Sequence, residues 1–207
     1  MRKIWLSSKL SPISKRQRAI VLMLALAESL SAAGERIGLL GVTNTILGRN
    51  GAERLAANLP DAATMPALPQ THSLKRFSDF ALFGDFLDPI AKTEETLDAI
   101  VKVGARAHLV QVVDPIEETF PYAGRTEFHD PETGLRHVVS RAEQYREDYH
   151  KRMTALRDWL STLCRRLDWT FLVHRTDRPA TEPLLALYAR VADRRNNLGS
   201  FAAGRAA

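Results

Sequence analysis

Carboxylates that close apolar runs are the first residues in this chain with chemistry to offer. Asp85 follows the strand-like stretch 77–84, and Asp114 follows the Leu- and Val-rich stretch 105–113. In an open α/β sheet, such positions border the crevice outside the carboxyl ends of the strands, where ligands bind. A carboxylate there suits Mg²⁺ or another hard cation, which takes oxygen ligands. Thr43 and the pair His174-Arg175 end two further runs. Turn chemistry is the competing reading for Gly84-Asp-Phe-Leu-Asp-Pro89, above all for Asp88 before its proline. Asp114-Pro-Ile-Glu-Glu118 heads an irregular insert and reads as solvated loop charge.

Other chemistries find less support. The six histidines show no HExxH or paired-ligand spacing, and His108 sits inside an apolar run as a core residue would. There is no GxSxG elbow, no P-loop and no GxGxxG after a strand. A single cysteine, Cys164, excludes an internal disulfide framework and a Cys-rich zinc site. It lies beside Leu163 in a helical stretch and reads as inert. The net charge is +5 and the pI about 9.6, which invites a nucleic-acid face. Yet 24 acidic residues are interspersed with the 29 basic ones, and no aromatic platform accompanies them. A solvated charged surface is the simpler reading.

These residues must be positioned by a fold. At 207 residues, with 45% hydrophobic and 26% charged residues, the chain suits one soluble domain with a sizeable core. No apolar run approaches the roughly 18 residues of a membrane span, and a cytoplasmic protein is expected. Lys15, Arg16 and Arg18 followed by the run 19–27 imitate a signal peptide, but Glu28 interrupts its tail and an apolar run follows directly. The stretch reads instead as a buried helix, capped by Ser14 and closed by Gly34.

Residues 36–42 read as a strand covered on both faces, 43–51 as a loop and 52–59 as a short helix. The proline-bearing stretch 60–71 is a connector. A strand at 77–84, a helix at 92–103 capped by Thr93, and a strand at 105–113 follow. A hairpin around 125–129 and 136–139 turns at Asp130-Pro-Glu-Thr-Gly134. A long helix spans about 140–167, with a core stripe through Tyr145, Tyr149, Met153, Leu156, Leu160, Leu163 and Leu167. A strand at 169–174 and a helix from Thr181 through Val191 complete the series, and beyond Asn196 the tail is Gly/Ala-rich. Alternating strands and helices predict a mostly parallel, doubly wound α/β sheet with helices on both faces. One domain over 1–195 and a tail over 196–207 are expected. The chain opens on a helix, which hints at a further strand before Met1.

Several stretches together resemble a known family. They are Ser14-Lys-Arg-Gln-Arg-Ala-Ile-Val-Leu, Gly34-Glu-Arg-Ile-Gly-Leu-Leu, Gly48-Arg-Asn-Gly-Ala-Glu-Arg-Leu55 and Gly84-Asp-Phe-Leu-Asp-Pro89. Val113-Asp-Pro-Ile-Glu-Glu-Thr-Phe-Pro-Tyr-Ala-Gly-Arg125, His129-Asp-Pro-Glu-Thr-Gly134 and Phe171-Leu-Val-His-Arg-Thr-Asp177 extend the set. The chain resembles the domain-of-unknown-function family 58, whose members are von Willebrand factor A-like, over about residues 1 to 190. The resemblance implies a metal-ion-dependent adhesion site built from three loops. Asp85 matches the third-loop Asp. Asn50, or alternatively Thr43, stands where the second-loop Thr belongs. The first-loop Asp-x-Ser-x-Ser motif, with the central first strand, is implied to lie upstream of Met1. Mg²⁺ is implied only where that loop is present.

The resemblance implies a non-enzymatic interaction module whose partner is a MoxR-type AAA+ ATPase. An acidic side chain of that partner would complete the metal's coordination. Two rival readings stand beside it. One is a metal-dependent hydrolase or phosphotransferase using Asp85 and Asp114; the other, minor, is nucleic-acid binding.

Overall fold

In a computed structural model, residues 10–60, 75–76, 78–129 and 136–191 are described. The connector 61–71, the turn 130–134 and the tail beyond 196 lie outside them. The elements run α1 (Lys15–Ala32), α2 (Gly51–Ala56), β1 (Asp79–Gly84), α3 (Ile90–Lys102), β2 (Arg106–Val113) and α4 (Pro115–Thr119). Then come β3 (Thr126–His129), β4 (Arg136–Val139), a 3-10 turn (Ala142–Tyr145), α5 (Arg146–Arg166), β5 (Thr170–Arg175) and α6 (residues 181–191).

Three strands form one parallel sheet in the order β1-β2-β5, with Asp79 opposite Arg106 and His108 opposite Thr170. β2 is the middle strand, and all but its first residue are buried. That is why Leu and Val fall on both faces of it, at Leu109, Val110, Val112 and Val113, rather than in alternation. Its side chains nonetheless divide by face. Val110 and Val112 join Phe83, Ala19, Leu22 and Leu26 of α1 and Leu187 of α6. Ala107 and Leu109 join Leu97 and Ile100 of α3 and Leu160 and Cys164 of α5. Helices therefore cover both faces, as the alternation of elements predicts. Among the described residues, no helix is long and apolar enough to cross a membrane.

The stretch that imitates a signal peptide is α1, packed on the sheet. Ser14 caps it through a reciprocal capping box with Gln17. Thr93 does not cap α3: Pro89 takes that place and Thr93 is buried inside the helix. The long helix expected over 140–167 begins later, after the 3-10 turn, and Tyr145 is 51% exposed rather than part of the core.

The strand expected at 36–42 is reduced to one antiparallel bridge, Ile37 to Ile46. Gly41, at φ 74°, turns the chain, and Leu39 closes the turn by accepting from Val42 and Thr43. Ile37 then packs with Ala27 and Leu55 in a small cluster between α1 and α2. The helices meet at Gly51, where a Cβ would come within 2.5 Å of Ile37 Cδ1 and 2.6 Å of Ser31 Cβ. Gly51→Ala is expected to cost roughly 1–3 kcal/mol by overpacking. Urea unfolding of the variant beside Ala52→Ser, on a half-buried site, measures this; equal midpoints would refute the close contact.

Candidate functional site

The carboxyl ends of β1 and β2 meet the first turn of α1. Asp85 follows β1 and is 7% exposed; Asp114 follows β2 and is fully buried. Between them stands Lys15, the first residue of α1, whose side chain is 3% exposed. Its Nζ donates to Asp85 Oδ2 at 3.1 Å and to Glu117 Oε1 at 2.6 Å. The two carboxylates are held from behind. Asp85 Oδ1 accepts from the Leu87 N–H at 3.2 Å, and Glu117 Oε2 accepts from the Asp114 N–H at 2.8 Å. Asp114 itself accepts from the Ile116 N–H and caps α4 in a second capping box.

The acidic segment 114–118 is therefore not solvated loop charge. Asp114 satisfies a helix start, Glu117 meets a buried ammonium, and Glu118 pairs with Arg157 and Arg175. Gln111, fully buried on β2, ties these groups together: it donates to the Asp85 carbonyl at 3.0 Å and accepts from Arg157 Nε at 2.9 Å. Two aromatic residues beside the cluster, Phe86 and Phe120, hold left-handed backbone at φ 57° and 41°. Bulky residues rarely adopt that conformation, and such strain persists only where the surroundings enforce it.

Burial opposes the Lys15 charge, but Asp85 and Glu117 outweigh it and hold the ammonium above its ordinary pKa. Burial pushes the Glu117 carboxyl above the usual carboxylate range, against the pull of Lys15. Across the same face, Arg18 Nη2 donates to the Thr176 carbonyl at 2.8 Å. Nearby His174 is 3% exposed, and burial together with Arg18 pushes its pKa down to about 4. Cys164 is buried in the core with its thiol pushed up to about 12, so it is poorly reactive. His108 meets Thr170 Oγ1 at 3.1 Å, as a satisfied core histidine does.

The structure does not bring Asn50 or Thr43 to Asp85. Asn50 precedes α2 and reaches Glu53, and Thr43 accepts from the Leu39 N–H. Gly51 packs against Ser31, which lies sixteen residues beyond Lys15, about 24 Å along α1. Among the described residues, no three His, Cys, Asp or Glu side chains form a metal-binding group. A Mg²⁺ ion does not fit at Asp85 as it stands, because an ammonium holds both inward-facing oxygens and would repel a second cation.

A family model described as "Protein of unknown function DUF58" matches residues 7–158. The chain belongs to the DUF58 family. The match takes in Lys15, Asp85, Asp114 and Glu117, and ends inside α5 before His174 and Thr176. No curated protein and no solved structure matches this DUF58 chain.

Sequence reasoning finds Asp85 and Asp114 but misses Lys15, Glu117, Gln111 and Arg157. Lys15 was legible from spacing: 15, 19, 22 and 26 form one helical stripe, and the last three are apolar. Lys15→Met leaves two buried carboxylates facing each other and is expected to cost about 3–5 kcal/mol. Lys15→Met/Glu117→Gln should recover part of this in the same urea titration; full additivity would refute the pairing. His174 is harder to protonate in the fold than in the unfolded chain, whose pKa is near 6.5. Stability is therefore lost as pH falls from 6.5 towards 4. His174→Gln should reduce that loss when melting temperature is followed across the window.

Proposed function

We propose that this DUF58 chain is a non-enzymatic protein-interaction module of von Willebrand factor A-like build, working with a MoxR-type AAA+ ATPase. The observation that carries the reading is the contrast between the strand ends and the hairpin beside them. The strand-end carboxylates are engaged with Lys15 and with backbone N–H groups, which disfavours their use as nucleophile or base. The β3–β4 hairpin adjoins them through a chain of rings: Tyr149 on Phe120 at 5.0 Å, and Phe120 and Tyr122 on Phe128 at 6.3 and 5.2 Å. Its outer strand bears Val138, 49% exposed, and leads to Tyr145, 51% exposed. Together with His137, Arg141 and Gln144 these line a hollow of about 380 Å³. Exposed aromatic and Arg side chains are the types that anchor protein interfaces.

The ATPase as partner rests on the family resemblance. The hairpin supports a partner face that is apolar and acidic. Mg²⁺ enters this reading only where an upstream loop supplies further oxygen ligands.

Co-purification of the chain with a MoxR-type ATPase from the same genome, followed by titration, tests the proposal. Tyr145→Ser and Val138→Ser are expected to weaken the complex about tenfold, or roughly 1.4 kcal/mol, without lowering the melting temperature. Absence of a complex removes the ATPase as partner, and undiminished binding removes the hairpin. Mg²⁺-dependent turnover of a phosphate ester, lost in Asp85→Ala, would replace the module with an enzyme. Binding that falls steeply with salt would favour nucleic acid.

A further inference from the structure

We propose that Lys15 is a tethered cation. Its ammonium fills the position at Asp85 that the family resemblance gives to a metal ion, so this chain takes up no divalent cation there. Without Lys15, Asp85 and Glu117 become a divalent-cation site.

The geometry is that of a cation site already filled. One oxygen of each carboxylate is turned to a common point, Asp85 Oδ2 and Glu117 Oε1, at 3.1 and 2.6 Å from Nζ. The other oxygen of each is held by a backbone N–H, so neither carboxylate needs the lysine to fix its direction. Their hosts are fixed as well. Asp85 is tied by its carbonyl to buried Gln111, and Glu117 stands in the first turn of capped α4. Lys15 is set by the Ser14 capping box and by Ala19, Leu22 and Leu26 below it.

Charge points the same way. One ammonium between two buried carboxylates leaves a negative excess, and a dication in its place would balance both. Removing the lysine side chain leaves two convergent carboxylate oxygens facing the space it filled. Mg²⁺ and Mn²⁺ accept such a pair and keep water in their remaining positions. No partner is needed, so the assignment stands whether or not the hairpin docks a protein.

Mn²⁺ titration of the purified chain, read by loss of the free-ion paramagnetic signal, tests it. The chain itself is expected to bind no Mn²⁺ at this site, and Mg²⁺ should leave its melting temperature unchanged. Lys15→Ala is expected to bind one equivalent of Mn²⁺, competed by Mg²⁺, and Lys15→Ala/Asp85→Asn none. If Lys15→Ala is unfolded in buffer, Mn²⁺ should restore its cooperative melt, with no such rescue in the double variant. Stoichiometric Mn²⁺ binding by the unmodified chain, lost in Asp85→Asn, would overturn the tethered cation. So would a Lys15→Ala chain that neither binds Mn²⁺ nor is rescued by it.

Discussion

A charge taken out of water must find its counter-charge, and Lys15 is the point where this protein meets that demand. Its ammonium is buried at the junction of three elements: the first turn of α1, the end of β1 and the first turn of α4. An unpaired ion there would cost several kcal/mol. Only one placement of α1 across the sheet brings Nζ to both carboxylates while Ala19, Leu22 and Leu26 face Phe83, Val110 and Val112. Apolar contacts alone tolerate sliding, since one aliphatic side chain can replace another at modest cost. The ion cluster does not. It converts a greasy helix into one with a single position.

The two faces of the sheet divide the labour. α3 and α5 cover one face with a largely apolar cluster around Leu97, Ile100, Leu160 and Cys164, packed on Ala107 and Leu109 of β2. The other face, under α1 and α6, is apolar in its middle and polar at its carboxyl end, where Lys15 and Arg18 sit one turn apart. Lys15 reaches the end of β1, and Arg18 reaches the chain just past β5. The crevice that such sheets commonly leave for ligands is filled here by two side chains of the same helix. Gln111 crosses between the layers, binding Asp85 with one end and Arg157 of α5 with the other.

The architecture was readable wherever a long apolar run met a turn. β1, β2 and β5 lie within a residue or two of the stretches that announce them, whereas the short helix α4 falls in what reads as an irregular insert. The run 36–42 failed because an apolar composition fixes neither partners nor burial: Gly41 turns the chain, Ile37 is bridged to Ile46, and Val42 is left 47% exposed. At the site, Asp85 was legible as a carboxylate closing a strand. The cation facing it was not, because Lys15 is 70 residues away in sequence and stands among Arg16 and Arg18, which look alike as charges. Helical phase sets Lys15 apart from Arg16, since it shares the stripe of Leu22 and Leu26, but Arg18 lies one turn on beside the same stripe. Glu117 is equally legible as the third helical residue after Asp114, a capping-box spacing that a reading of 114–118 as loop charge leaves unused.

The sequence separations carry a consequence for how the molecule assembles. Lys15 meets partners 70 and 102 residues later in the chain, and Arg18 meets one 158 residues later. Contacts that distant wait until intervening elements have been laid down, because their loops must close first. On a growing chain α1 is complete long before β2 exists, with an apolar stripe and no sheet to cover it. The ammonium of Lys15 is likewise without its counter-charges until β1 and α4 have followed, so the contact that fixes α1 in place is among the later ones to form.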